Sequence, residues 1–260
     1  MSMDPIEAEI VREQPKASRL GFDSVLEDLF GLNIRAVKSI GTLFRAPSRY
    51  TDAARSRDWL NRFTPSFRIW LGLYALLAGM RFIYGGEDSP MVDSLVAQLE
   101  ADSAFDDLEG LTLDYRQFAV DLYRWMFVLL PFIFIPTYAV VAFLFRSFPG
   151  QPGFVLRLRY VFSTVIPSTS IIVAMTPILL LPLSGMQMML VSSLSFLTII
   201  GLDYVTAYRG ALSKVGKSRA GVSFGLTVLL LIAYLFATIA ATIPAMIISL
   251  ISNLSRSLGG

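Results

Sequence analysis

Of 260 residues, 54% are hydrophobic and only 16% are charged, against roughly 25% charged in an ordinary soluble domain, so the composition is that of a membrane protein. The net charge of +2 says little as a total, because acids and bases are segregated along the chain. The sequence has no cysteine and no histidine, which excludes disulfides, thiolate or imidazole metal sites, an axial haem histidine, and Ser-His or Cys-His nucleophile pairs, but not carboxylate chemistry.

Residues 1–21 mix charges with Pro5 and Pro15 and carry no apolar core, which predicts a disordered tail without a cleaved signal peptide. Two amphipathic pieces are expected over 22–65. In the first, Phe22, Val25, Leu26, Leu29 and Phe30 fall at helical spacing before Gly31. In the second, Ile34, Val37, Ile40, Leu43 and Phe44 are apolar and Arg35, Lys38 and Arg45 polar, with Pro47 as the stop. Their apolar faces are too short to span, so they are expected in the membrane interface or against the bundle. Arg45, Arg49, Arg55, Arg57 and Arg62 then approach the first span. They suit contact with anionic lipid headgroups, at about 1 kcal/mol each, and they also set orientation.

Thr64 reads as an N-cap and Pro65 as the first helical residue of span one, 66–84. Arg68 and Arg81 sit near its ends, where snorkelling to the headgroups accounts for both. The segment 85–124 holds ten acids and two bases. Ser89-Pro90 opens a helix with Val92, Leu95, Val96 and Leu99 on one stripe, and another helix is predicted from near Thr112 into span two, 125–145, through Pro131 and Pro136. Asp102, Asp106, Asp107 and Glu109 lack the ligand spacing and turn glycine of an EF-hand, and read as a solvated face rather than a calcium site.

Span three, 160–181, contains Pro167 and Pro177 and is rich in hydroxyls; span four is 186–204. Such hydroxyls mostly satisfy carbonyls of their own helix. Ser168 and Thr169 with Asp203, the one acid near a span interior, are the candidates for a polar path. The plainer reading of Asp203 is a terminal ion pair with Arg209.

Span five, 222–250, is uncharged, and its 29 residues reach about 43 Å. Gly221, Gly225, Ala233, Ala237, Ala241, Ala245 and Ser249 recur at every fourth position, interrupted at Leu229. Small residues at that interval let helices approach closely in lipid. Each four-residue step over-rotates the helix by about 40°, so this packing ladder predicts a helix touched by several others, at the centre of the bundle. Residues 251–260 read as a short tail.

Bases cluster before span one, between spans two and three, and between spans four and five. The positive-inside rule then puts the N-terminus in the cytoplasm and the C-terminus outside.

The stretch TLFRAPSRYTDAARSRDWLNRFTPSFRIWL resembles the opening of a bacterial integral-membrane protein family of unknown function, in which an Arg-Pro-type turn and a basic segment precede the first span. LPFIFIPTYAVVAFLFR, RYVFSTVIPS and DYVTAYRGALSKVGKSRAG are similar to its later spans and basic loop. The chain departs from that family in lacking a zinc-ribbon start and third-span histidines. The layout is also similar to that of Yip-type five-span membrane proteins. These resemblances imply architecture and a bacterial inner membrane, and transfer no catalytic residue.

The sequence thus predicts an all-α polytopic bundle with five transmembrane helices and N-terminal interfacial helices. The expected partners are the lipid bilayer and a membrane protein or a second copy, with no nucleic acid. No cofactor, metal or catalytic residue is expected. The function expected first is a non-enzymatic accessory, scaffold or assembly factor of a larger membrane complex. The alternative, a small-solute or lipid carrier or channel using spans two to four, requires a cavity near Ser168, Thr169 and Asp203. A lipid-modifying enzyme is the least favoured class, since the acids gather in one loop.

Overall fold

A computed structural model describes residues 34–56, 59–84, 86, 89–101, 114–147, 153–179, 181, 185–210 and 218–259. The expected tail 1–21, the first amphipathic piece, Arg57 and the acids at 102–109 lie outside the described residues. Among the described residues the regular elements are all helical. They are α1 (Ile34–Arg45), α2 (Pro47–Ala53), α3 (Trp59–Arg62), α4 (Ser66–Tyr84), α5 (Pro90–Ala101), α6 (Tyr115–Leu144), α7 (Phe154–Leu179), α8 (Gly185–Arg209) and α9 (Ser218–Gly259).

Four of these, α6 to α9, are long and apolar enough to cross a bilayer, and the chain is a multi-pass membrane protein. The expected first span, α4, is 19 residues long with Arg68 and Arg81 inside it, and is not one of the four. The boundaries also differ from expectation. Asp114 caps α6, its carboxylate accepting from the Gln117 backbone N–H at 3.0 Å, and the helix then runs 30 residues through both prolines. The helix α9 continues past position 250 to Gly259, where a short tail was expected. Side-chain anchors hold this polar extension: Asn253 donates to the Asp114 carbonyl at 3.0 Å, and Arg256 reaches Asp121 at 3.0 Å.

Of the four long apolar helices α7 is the most buried, with residues 160–169 all buried. The expectation that the small-residue helix occupies the centre is corrected by α9 itself, whose far side exposes Phe224, Ile232, Phe236, Ile239 and Ile243. Its ladder packs mainly on α6. Ala233, Ala237, Ala241, Ala245 and Ser249 are buried, as is Asn253 one step further on, whereas Gly225 is half-buried and Gly221 exposed. The over-rotation of a four-residue repeat explains the loss. Below Ala233 the buried positions become Ser223, Leu226, Thr227 and Leu230, spaced by three or four or adjacent, and turned partly toward α8.

The helices α4, α7, α8, α9 and α6 follow one another around a common interior, and α4 meets α6 far more sparsely than the other neighbours meet. The small helices dock on the end of the bundle where α7 begins. Tyr50 donates to the Thr64 carbonyl at 2.7 Å, and the Thr64 N–H donates to Ser39 Oγ at 3.0 Å. Arg159 donates to the Ala54 carbonyl at 3.1 Å, with its guanidinium 4.7 Å from the Trp59 ring centre. Thr51 donates to the Gly210 carbonyl at 3.0 Å. A Cβ at Gly210 would lie 2.9 Å from the Thr206 carbonyl oxygen and 3.3 Å from Pro47 Cβ, so this approach of α2 to the end of α8 needs glycine.

Candidate ligand cavities within the bundle

Two adjoining cavities lie between the helices. The inner one, about 140 Å³, is walled by residues of α4, α6, α7, α8 and α9. Its walls are mostly apolar and aromatic. Trp70, 2% exposed, packs against Phe134, Tyr138 and Phe162 at ring separations of 6.3, 5.9 and 5.3 Å. Its polar lining includes Ser168, Thr169 and Asp203.

The three candidates for a polar path therefore stand together. The ion pair with Arg209 does not form: Arg209 instead donates to the backbone carbonyls of Phe44 and Arg45. Asp203 is buried and takes Ser168 as its partner, Oγ to Oδ1 at 2.6 Å. Ser168 also lies 2.9 Å from the Val165 carbonyl. A hydroxyl has one proton, so Ser168 shares its donor between the Asp203 carboxylate and the Val165 carbonyl. Thr169 donates to the Val165 carbonyl at 2.7 Å. The remaining hydroxyls of α7, Ser163, Thr164, Ser170 and Thr176, also bond carbonyls three or four residues back.

The outer cavity, about 550 Å³, lies between α4, α5 and α6 at the sparse seam of the ring. That volume falls in the range of about 300–1,000 Å³ common for small-molecule sites. Tyr74, Arg81 and Phe127 line both cavities and form the partition between them. A proline fixes part of this partition. Pro131 has no N–H for the Phe127 carbonyl four residues earlier, and the Tyr74 hydroxyl approaches that freed oxygen at 3.4 Å. Arg81 completes it, with its guanidinium 4.3 Å from the Phe127 ring centre and Nη1 3.7 Å from Met91 Sδ.

No protein-family model, curated protein or solved structure matches this chain. The site therefore stands on its own residues.

Sequence reasoning missed Arg81, which snorkelling to the headgroups was expected to explain. The signal was available. Arg81 follows Trp70, Tyr74 and Leu77 at steps of four, three and four, and so shares their buried stripe. Arg68 lies off that stripe and is exposed. Of the arginines expected at lipid headgroups, Arg45, Arg49, Arg55 and Arg62 are exposed.

Proposed function

We propose that this chain is a membrane-embedded binding or carrier protein that draws a lipid or other amphipathic small molecule from the bilayer into the space ringed by α4, α6, α7, α8 and α9. The two adjoining cavities with a shared partition carry this reading. The outer one opens where the ring is weakest, and the inner one ends on a carboxylate. Ionisable groups inside membrane domains are costly and are functional suspects for that reason. The path differs from one through spans two to four alone, because α4 and α9 supply walls. The reading involves no chemical step, and the protein is proposed to be non-enzymatic.

The proposed setting is a bacterial inner membrane crossed five times, with the N-terminus in the cytoplasm and the C-terminus in the periplasm. Two observations support α4 as the fifth crossing. Ser66 at its start bonds the Arg159 carbonyl where α7 begins, while Arg81 near its end meets Met91 of α5. Nineteen residues also reach about 28 Å, close to a hydrocarbon core of about 30 Å. Exposed Arg45, Arg49, Arg55 and Arg62 at the α7-start end support its cytoplasmic placement.

The test uses Trp70 as a reporter in a Trp59→Phe, Trp125→Phe background. Phospholipids brominated along the acyl chain should quench Trp70 despite its burial. Gly79→Leu should remove most of that quenching, since Gly79 lines the outer cavity and an added Cβ meets nothing within 4 Å. Equal quenching with and without Gly79→Leu rejects the reading.

A second reading, an accessory or assembly factor with a membrane-protein partner or second copy, is favoured by the outer half of α8. There Met186, Met189, Leu190, Leu194 and Leu197 are exposed, together with Ser192 and Ser193. A single cysteine at Ser193 should crosslink in native membranes under this reading, and an uncrosslinked monomer would reject it.

A further inference from the structure

We propose that the occupant of the outer cavity is an anionic phospholipid, with its phosphate held between Arg81 and Arg124 and one acyl chain lying in the seam between α4 and α6. This deepens the binding reading above and rests on it.

Charge comes first. Among the described residues no carboxylate lies within ion-pair distance of Arg81. Its contacts are a thioether and an aromatic face, and its Nε is buried without a hydrogen-bond partner. A cation so placed is expensive unless a counter-charge arrives. Arg124 lines the same cavity. Among the described residues the carboxylate paired with it is Asp121, 4.0 Å away and held more closely by Arg256 at 3.0 Å. Among the described residues two arginines thus share one carboxylate, while Arg81 has none. A phosphate supplies what is missing, because the guanidinium fork matches its oxygens two at a time.

Shape gives the rest. Trp70 early in α4 meets Phe134 and Tyr138 of α6, and Arg81 late in α4 meets Phe127, so the two helices run antiparallel and Arg81 and Arg124 fall at the same end. Away from that end the walls are Leu71, Ala75, Val128 and Pro131, with the Tyr74 hydroxyl directed to the Phe127 carbonyl. The cavity is therefore cationic at one end and apolar along its length, the polarity of a phospholipid with its headgroup at the membrane surface. A free phosphate would leave the apolar length unfilled. The small side chains Ala75, Ala78 and Gly79 supply the width on the α4 side.

The experiment uses the full chain purified in detergent, incubated with equimolar dioleoyl phosphatidylglycerol and dioleoyl phosphatidylcholine, with bound lipid read by native mass spectrometry. The expected result is a phosphatidylglycerol adduct about tenfold over phosphatidylcholine. Arg81→Gln and Arg124→Gln should each lower that adduct about tenfold, with Arg81→Lys retaining most of the preference. Arg124 is 56% exposed in its side chain, so its replacement does not endanger the fold. Arg49→Gln, an exposed change at the other end, should alter nothing, and Gly79→Leu should remove both adducts. Equal binding of the two lipids, lost in Gly79→Leu, overturns the anionic assignment and leaves the binding reading standing. A preference that falls as far in Arg49→Gln as in Arg81→Gln places the anion on the cytoplasmic surface and overturns the assignment. Adducts that persist in Gly79→Leu sink both.

Discussion

Arg256, on the polar extension of α9, donates to the Asp121 carboxylate of α6 at 3.0 Å. Asp121 is 3% exposed in its side chain and Arg256 53%, so one partner is buried and the other half in solvent. With Asn253, which also accepts from the Asp114 N–H at 3.3 Å, this contact pins the end of α9 to the start of α6. The site is linked to it indirectly, because Arg124 shares the Asp121 carboxylate with Arg256, at 4.0 Å against 3.0 Å.

Arg256→Ala is expected to destabilise the bundle by about 1.5–3 kcal/mol, the range for losing a hydrogen bond to a charged group. Asp121→Asn should be milder, since it removes the buried charge and leaves the half-exposed Arg256 to water. Thermal unfolding in detergent measures both. A larger loss in Asp121→Asn than in Arg256→Ala would show that Gln117, which donates to Asp121 at 3.3 Å, and Arg124 hold the carboxylate more strongly than Arg256 does.

The α9 ladder divides into a packed part and a free part. Ala241 is fully buried, and Ala241→Leu should cost about 1–3 kcal/mol by overpacking the seam with α6. Gly221 is exposed, and an added Cβ there meets nothing within 4 Å. Gly221→Leu should therefore be neutral, or stabilising by up to about 0.8 kcal/mol through helix propensity. Equal destabilisation at both positions would mean that the whole ladder is covered.

Ser168 and Asp203 separate stability from function. Ser168→Ala leaves a buried carboxyl group without its hydroxyl partner and should cost about 1–3 kcal/mol. Asp203→Asn keeps a side chain that hydrogen-bonds Ser168 and should change unfolding little, while reducing uptake or release of a ligand that reaches the inner cavity. Transport in proteoliposomes unchanged by Asp203→Asn would remove this residue from the carrier reading.

Topology is testable because the sequence has no cysteine of its own. A single cysteine at Ser255 is expected to react with a membrane-impermeant maleimide in intact cells, and one at Ser48 only after lysis. Both residues are exposed. Reaction of both from the same side would mean that α4 does not cross and that the crossings number four.

The sequence by itself determined the class and most of the helices. Uncharged stretches long enough to span must bury their backbone polar groups in helices, whatever surrounds them, which is why α6 to α9 were legible from composition and Asp203 stood out among apolar neighbours. Tertiary structure decided which face of each helix looks inward. Arg68 and Arg81 are alike as residues on one helix, yet only Arg81 lies on the stripe that α6 and α7 cover. The helix α9 outruns its apolar segment because Asp114 and Asp121, more than 130 residues earlier in the chain, meet Asn253 and Arg256. Local hydropathy cannot register such a partner, since the stabilising contact exists only once the two helix ends are brought together.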